Sequence, residues 1–135
     1  VRRDNDEYYL TYKGSGLMTH EEYNLPLTEE SYEHLLSKAD GNIITKKRYE
    51  IPDVSGKLIE LDIFEGVFSG TVLAEVEFDS VEEAQKYTPP AWFREDVTYD
   101  KTYHNSNMSR MIIKEGSAED KSSSDICAAT SRETL

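Results

Sequence analysis

Lys57-Leu-Ile-Glu-Leu-Asp-Ile-Phe64 and Thr71-Val-Leu-Ala-Glu-Val-Glu-Phe78, joined through Gly66 and Gly70, alternate charged and apolar residues with a period of two. That period belongs to a β-strand, in which successive side chains point to opposite faces, so the two stretches predict an antiparallel hairpin. Glu60 and Asp62 then share one face and Leu61 and Ile63 the other. Glu75 and Glu77 likewise oppose Ala74, Val76 and Phe78. Neighbouring strands lie about 4.8 Å apart, so four carboxylates crowd one small area and repel unless cations sit among them.

The strand expected just before this hairpin, 43–51, is closed by Pro52 and carries Lys46 and Arg48 at one parity. Upstream, Tyr8-Tyr-Leu-Thr-Tyr-Lys13 is aromatic and β-branched. Gly14-Ser-Gly16 supplies a turn, and a return strand is expected over 17–25. Thr28 reads as an N-cap followed by Glu29 and Glu30, and Tyr32, Leu35, Leu36 and Ala39 repeat at helical spacing as far as Gly41. Ser80 and Glu83 form a capping box, which starts a short helix at Val81 that ends before Pro89-Pro90. The expected order is β-β-α-β-β-β-α, with a further helical stretch allowed by Met108, Met111 and Ile112. Residues 1–113 are read as one domain and the polar stretch 114–135 as a poorly ordered tail.

The 135 residues suffice for one core, and 37% apolar composition supports a packed interior. Fifteen basic and 27 acidic residues leave a net charge of −12, which argues against nucleic acid as a partner. No apolar stretch approaches the roughly 20 residues that span a bilayer, so no membrane partner is expected. The single cysteine, Cys127, permits no internal disulfide and fits a reducing compartment, giving a cytoplasmic expectation.

Between 58 and 85 there are eight acids and neither Lys nor Arg, while Lys13, Lys46 and Arg48 stand on other strands. Polar faces turned to one interior would line a space with cations on some walls and carboxylates on others. Such a lining suits a polyphosphate with its divalent metal, and oxygen ligands favour Mg²⁺ or Mn²⁺. A sheet with one solvated face alternates in the same way without any site, although a face selected for solubility usually mixes both signs. His20, His34 and His104 lack metal-ligand spacing, Gly14-Ser-Gly16 has no following Lys-Ser or Lys-Thr, and Trp92 reads as packing.

Tyr8-Tyr-Leu-Thr-Tyr-Lys-Gly14, Lys46-Lys-Arg-Tyr49, Glu60-Leu-Asp-Ile-Phe-Glu-Gly66 and Leu73-Ala-Glu-Val-Glu-Phe78, in this order, resemble the CYTH superfamily of triphosphate tunnel metalloenzymes, which includes class IV adenylate cyclases and thiamine triphosphatases. The likeness runs on through Val97-Thr98 and Tyr103-His-Asn105. It implies an α+β fold: a closed antiparallel β-barrel, or tunnel, of eight strands with flanking helices. By position, Arg2, Lys13, Lys46 and Arg48 would bind the triphosphate, with Lys46, Arg48 and Glu60 nearest the chemistry. Glu75 and Glu77 would hold metal, with Glu22 and Asp62 as further carboxylates. The family's N-terminal Glu-x-Glu-x-Lys strand has no counterpart and His20 stands where many members carry Arg, so the resemblance implies a member lacking its first strand.

The implied function is metal-dependent hydrolysis of inorganic tripolyphosphate or an organic triphosphate, with Mg²⁺ or Mn²⁺ as cofactor. Two alternatives stand beside it: a class IV-type cyclase that makes cyclic AMP from ATP, and a triphosphate-binding fragment without turnover. Lacking a strand, these 135 residues alone are expected to be inactive and to self-associate through exposed strand edges.

Overall fold

The computed structural model describes residues 1–14, 22–113 and the backbone of Ile126–Thr130. Strands Arg2–Asp4 (β1), Glu7–Lys13 (β2) and Glu22–Pro26 (β3) form one antiparallel sheet in the order β1-β2-β3. Strands Thr45–Pro52 (β4), Leu58–Glu65 (β5), Val72–Val76 (β6), Glu95–Asp96 (β7) and Ile126–Thr130 (β8) form a second sheet, ordered β4-β5-β6-β8-β7. The single closed barrel expected from the resemblance is therefore corrected: among the described residues the strands form two separate sheets. Nor is the second sheet wholly antiparallel, because β8 runs parallel to both β6 and β7.

The first sheet starts with a hairpin whose two-residue turn is Asn5-Asp6, with Asn5 at φ 52°. Asparagine tolerates this left-handed conformation better than most residues. In register, Arg2, Tyr9, Thr11, Lys13, Glu22 and Asn24 share one face, while Leu10, Tyr12, Tyr23 and Leu25 share the other. Helix Glu29–Leu36 (α1) leans on the Tyr8 end of that second face, where the Tyr8 and Tyr32 rings lie 5.0 Å apart and the Tyr8 hydroxyl donates to Glu29. Thr28 caps α1 by accepting from the Ser31 backbone N–H. The helix stops at Leu36, five residues before Gly41, and 3-10-type bonds from Lys38 and Ala39 finish it. His20 and the turn at 15–16 lie outside the described residues.

The second sheet holds the core. β4 and β5 pair along their whole length from Thr45↔Glu65 to Pro52↔Leu58, around a turn in which Gly56 takes φ 84°. β5 and β6 form the hairpin read from the sequence, with a 3-10 turn at Gly66–Phe68 between them. Ile59, Ala74, Val76 and Phe78 are buried on one face, covered by Ala84, Tyr87, Trp92 and Phe93. Helix Val81–Lys86 (α2) belongs to this cover, its Ser80 cap accepting from the Glu83 backbone N–H while Glu83 reaches back to Asp79 N–H.

The opposite face carries a second apolar cluster: Phe64, Phe68, Leu73, Val97 and Met108, with Ile44 and Tyr103 packed against it. Full burial of each such side chain contributes roughly 1.5–3 kcal/mol. This face is thus charged at one end and apolar at the other. The segment from β7 through helix Asn105–Met108 (α3) covers the apolar end; the helical stretch starts earlier than Met108, and residues 111–113 are not helical. No helix among the described residues is long and apolar enough to cross a membrane.

Candidate active site

Register sets the chemistry of the second sheet. Arg48 lies directly opposite Asp62, and Glu60 directly opposite Glu75. Lys46, one pleat along from Arg48, reaches diagonally to the same Asp62 carboxylate. Lys46, Arg48, Glu60, Asp62 and Glu75 therefore share one face across three strands; of the four carboxylates that the alternation grouped, Glu77 falls past the end of β6.

Arg48 is the hub. Its Nε and Nη2 donate to the two oxygens of Asp62 at 2.7 Å each, a bidentate fork. Nη2 also reaches Glu75 at 3.1 Å, spanning β5 to do so, and Nη1 pairs with Glu60. One guanidinium thus stands between two glutamates that β5 and β6 place face to face and reduces a repulsion they would otherwise feel in full. Asp62 is 0% exposed and is flanked across the ladder by Arg48 and Leu73. Burial opposes its charge, but the Arg48 hydrogen bonds and the Lys46 ammonium overcome this and hold its carboxyl below the ordinary range. Lys46 is displaced downward by burial and by the neighbouring Arg48 charge, against the pull of Asp62. Burial disfavours the charge of Arg48 too, yet its carboxylate partners raise it further above its already high value.

Lys46 also lies over the Phe64 ring, its Nζ 5.5 Å from the centroid, so the charged end of this face abuts the apolar cluster directly. Phe64 is the register partner of Lys46 and Leu73 that of Asp62. The contribution of this apolar wall was not legible in the strand alternation, because both residues occupy the parity assigned to charges.

Three of the remaining candidates, Arg2, Lys13 and Glu22, gather on the first sheet. Lys13 lies opposite Glu22 and pairs with it at 3.1 Å, and Arg2 approaches the same carboxylate at 3.7 Å. Thr11 donates to Asn24, and Asn24 to Glu22, on the same face. Glu77 lies one residue beyond the end of β6 and is exposed. The ion pairs thus arrange the candidates other than Glu77 as two groups, one on each sheet. Oxygen donors of Glu60, Asp62 and Glu75 have the chemistry that Mg²⁺ or Mn²⁺ takes, but they face Arg48 and Lys46. Among the described residues no three Asp, Glu, His or Cys side chains converge to hold a metal ion.

These features define an α+β protein with cations and carboxylates interlocked on strand faces. No family model matches the chain. It is 39% identical over 114 residues to an inorganic triphosphatase of Nitrosomonas europaea, covering 83% of this chain and 74% of that protein. It is 38% identical over 113 residues to an inorganic triphosphatase of Acetivibrio thermocellus, covering 80% and 69%. A crystal structure of the inorganic triphosphatase NE1496 superposes with a TM-score of 0.60 at 32% identity, covering 83% of this chain and 74% of that one. The chain belongs to the inorganic triphosphatase family.

Proposed function

We propose that this protein binds inorganic triphosphate and hydrolyses one of its phosphoanhydride bonds, and that it is a member of the CYTH superfamily. The observation that carries this reading is the position of Lys46 and Arg48. A match covering 83% of the chain necessarily includes its middle, where β4, β5 and β6 lie, and the cation pair is built there on half-buried ladder positions. The two named relatives act, by their names, on inorganic triphosphate.

The chemistry is electrostatic. A phosphoryl group in transfer spreads charge over its peripheral oxygens, and fixed cations stabilise that charge without reorganising. Lys46 gives one hydrogen bond to Asp62 and keeps N–H donors to turn toward a phosphate oxygen. Arg48 is oriented by its carboxylate partners and exchanges one of them for phosphate, which its planar fork matches equally well. Arg2 and Lys13 hold the far end of the chain of phosphates. Mg²⁺ or Mn²⁺ arriving with the triphosphate would supply further charge neutralisation.

One observation favours a second reading, triphosphate binding without turnover: of the carboxylates proposed for metal, Asp62 and Glu75 are engaged by Arg48 and Glu22 by Lys13 and Arg2, and no three carboxylates converge on a metal position among the described residues. Titrating tripolyphosphate into the 135-residue chain, with phosphate release followed in parallel, separates the readings. Binding with release supports hydrolysis and binding without release supports the second reading. Absence of binding with and without Mn²⁺ sinks both.

A further inference from the structure

We propose that Asn42, together with Gly41, is a positioning residue for this site: the pair clasps the backbone of 108–111 and so fixes the apolar wall against which Lys46 and Asp62 are held. The inference rests on the triphosphate reading for its effect on binding, and on geometry alone for the clasp.

Asn42 spends three hydrogen bonds on one stretch of backbone. Its side-chain Nδ2 donates to the carbonyls of Met108, at 3.2 Å, and Met111, at 2.8 Å, and its own backbone N–H donates to the carbonyl of Ser109 at 2.7 Å. The Met108 carbonyl ends α3 and those of Ser109 and Met111 follow it, a place where a helix end leaves acceptors open to further donors. Gly41 makes the approach possible. It takes φ 80°, and a Cβ at that position would lie 2.0 Å from the Ser109 carbonyl oxygen. Only glycine fits so close a crossing.

From the clasp to the charged cluster the contacts are continuous. Met108, 3% exposed, packs with Phe64 and Leu73, and Ile44, two residues beyond Asn42, joins the same cluster. Phe64 carries the Lys46 ammonium on its ring, and Leu73 flanks Asp62 across the ladder. The clasp also begins the segment leading into β4, the strand that bears both cations. Releasing it frees Met108 to move, opens the Phe64 side of the site and lets Lys46 swing away from Asp62.

The test uses Asn42→Ala in the full chain, with limiting acetic anhydride and mass spectrometry to measure the modification rate of each lysine. Lys46 is expected to react at least about fivefold faster than in the unaltered protein, while Lys47 and Lys57, which lie outside the clasp, change by less than about twofold. The dissociation constant for tripolyphosphate is expected to rise about tenfold. Gly41→Ala, which attacks the clasp from its other side, is expected to reproduce the lysine pattern. If Asn42→Ala does not fold, Asn42→Gln keeps the donor at a longer reach and is expected to show the same pattern at smaller amplitude. An unchanged Lys46 rate, or an equal rise at all three lysines, overturns the clasp. A selective Lys46 response in a protein that never binds tripolyphosphate upholds the clasp and overturns the functional reading instead.

Discussion

Arg48 and Asp62 face each other across β4 and β5, joined by two parallel 2.7 Å hydrogen bonds to a carboxylate with no solvent exposure. Breaking such a pair from one side is most costly when the remaining charge is left buried without a partner. Asp62→Asn preserves shape and removes the charge shared by Arg48 and Lys46, while Arg48 keeps Glu60 and Glu75. It is expected to lower unfolding free energy by about 2–3 kcal/mol in urea denaturation, through loss of charge-assisted hydrogen bonds to a buried carboxylate. A loss below about 1 kcal/mol would mean that neighbouring glutamates compensate fully.

The same carboxylate gives a pH signature. Its folded-state affinity for a proton is lowered, so the stability it contributes is fully present above the ordinary aspartate range, near 3.8, and is lost as pH falls through the lower folded value. Melting temperature is therefore expected to drop on acidification below about pH 4, and Asp62→Asn to flatten that part of the profile. Parallel profiles for the two proteins would remove Asp62 as the cause.

Arg48→Lys keeps the charge but not the fork. A lysine cannot serve Asp62 bidentately while bridging Glu60 and Glu75, so the two opposed glutamates lose their common partner. Tripolyphosphate hydrolysis, read as phosphate release, is expected to fall about 10²-fold in kcat/KM. Retention of the full rate would place the reacting group elsewhere.

Ser80→Ala serves as a remote control. It removes the oxygen that accepts from Glu83 N–H at the start of α2 and is expected to cost about 1 kcal/mol in stability. Tripolyphosphate affinity should not change, because α2 covers the face opposite the charges. A matching loss of affinity would show that stability, rather than the site, governs binding.

The hairpin of β5 and β6 and the sharing of one face by Glu60, Asp62 and Glu75 were legible because a period of two survives wherever a sheet separates two environments. Thr28 and Ser80 were legible as caps because capping is local chemistry. What escaped the reading depends on distant partners. β1 is three residues long and is fixed by pairing with β2, though Asn5-Asp6 was a usable turn signal. β7 has two residues, and β8, within the stretch expected to be poorly ordered, is set by pairing with β6 and β7. Phe64 and Leu73 interrupt the charged face, so the apolar wall was hidden by the simple alternation. Gly41 read as a helix end, whereas its positive φ serves a contact 68 positions away at Ser109. The single tunnel came from the resemblance, and the two-sheet pairing replaces it among the described residues.

The most direct measurement is the melting temperature of the 135-residue chain with and without tripolyphosphate and Mn²⁺, compared with the Lys46→Gln and Arg48→Gln variants. A ligand that binds the native state raises the transition by mass action. The unaltered protein is expected to melt several degrees higher with ligand, about what binding well above its dissociation constant gives, and both variants are expected to lose most of that rise. An equal rise in all three proteins would contradict the assignment of triphosphate to the β4 cations.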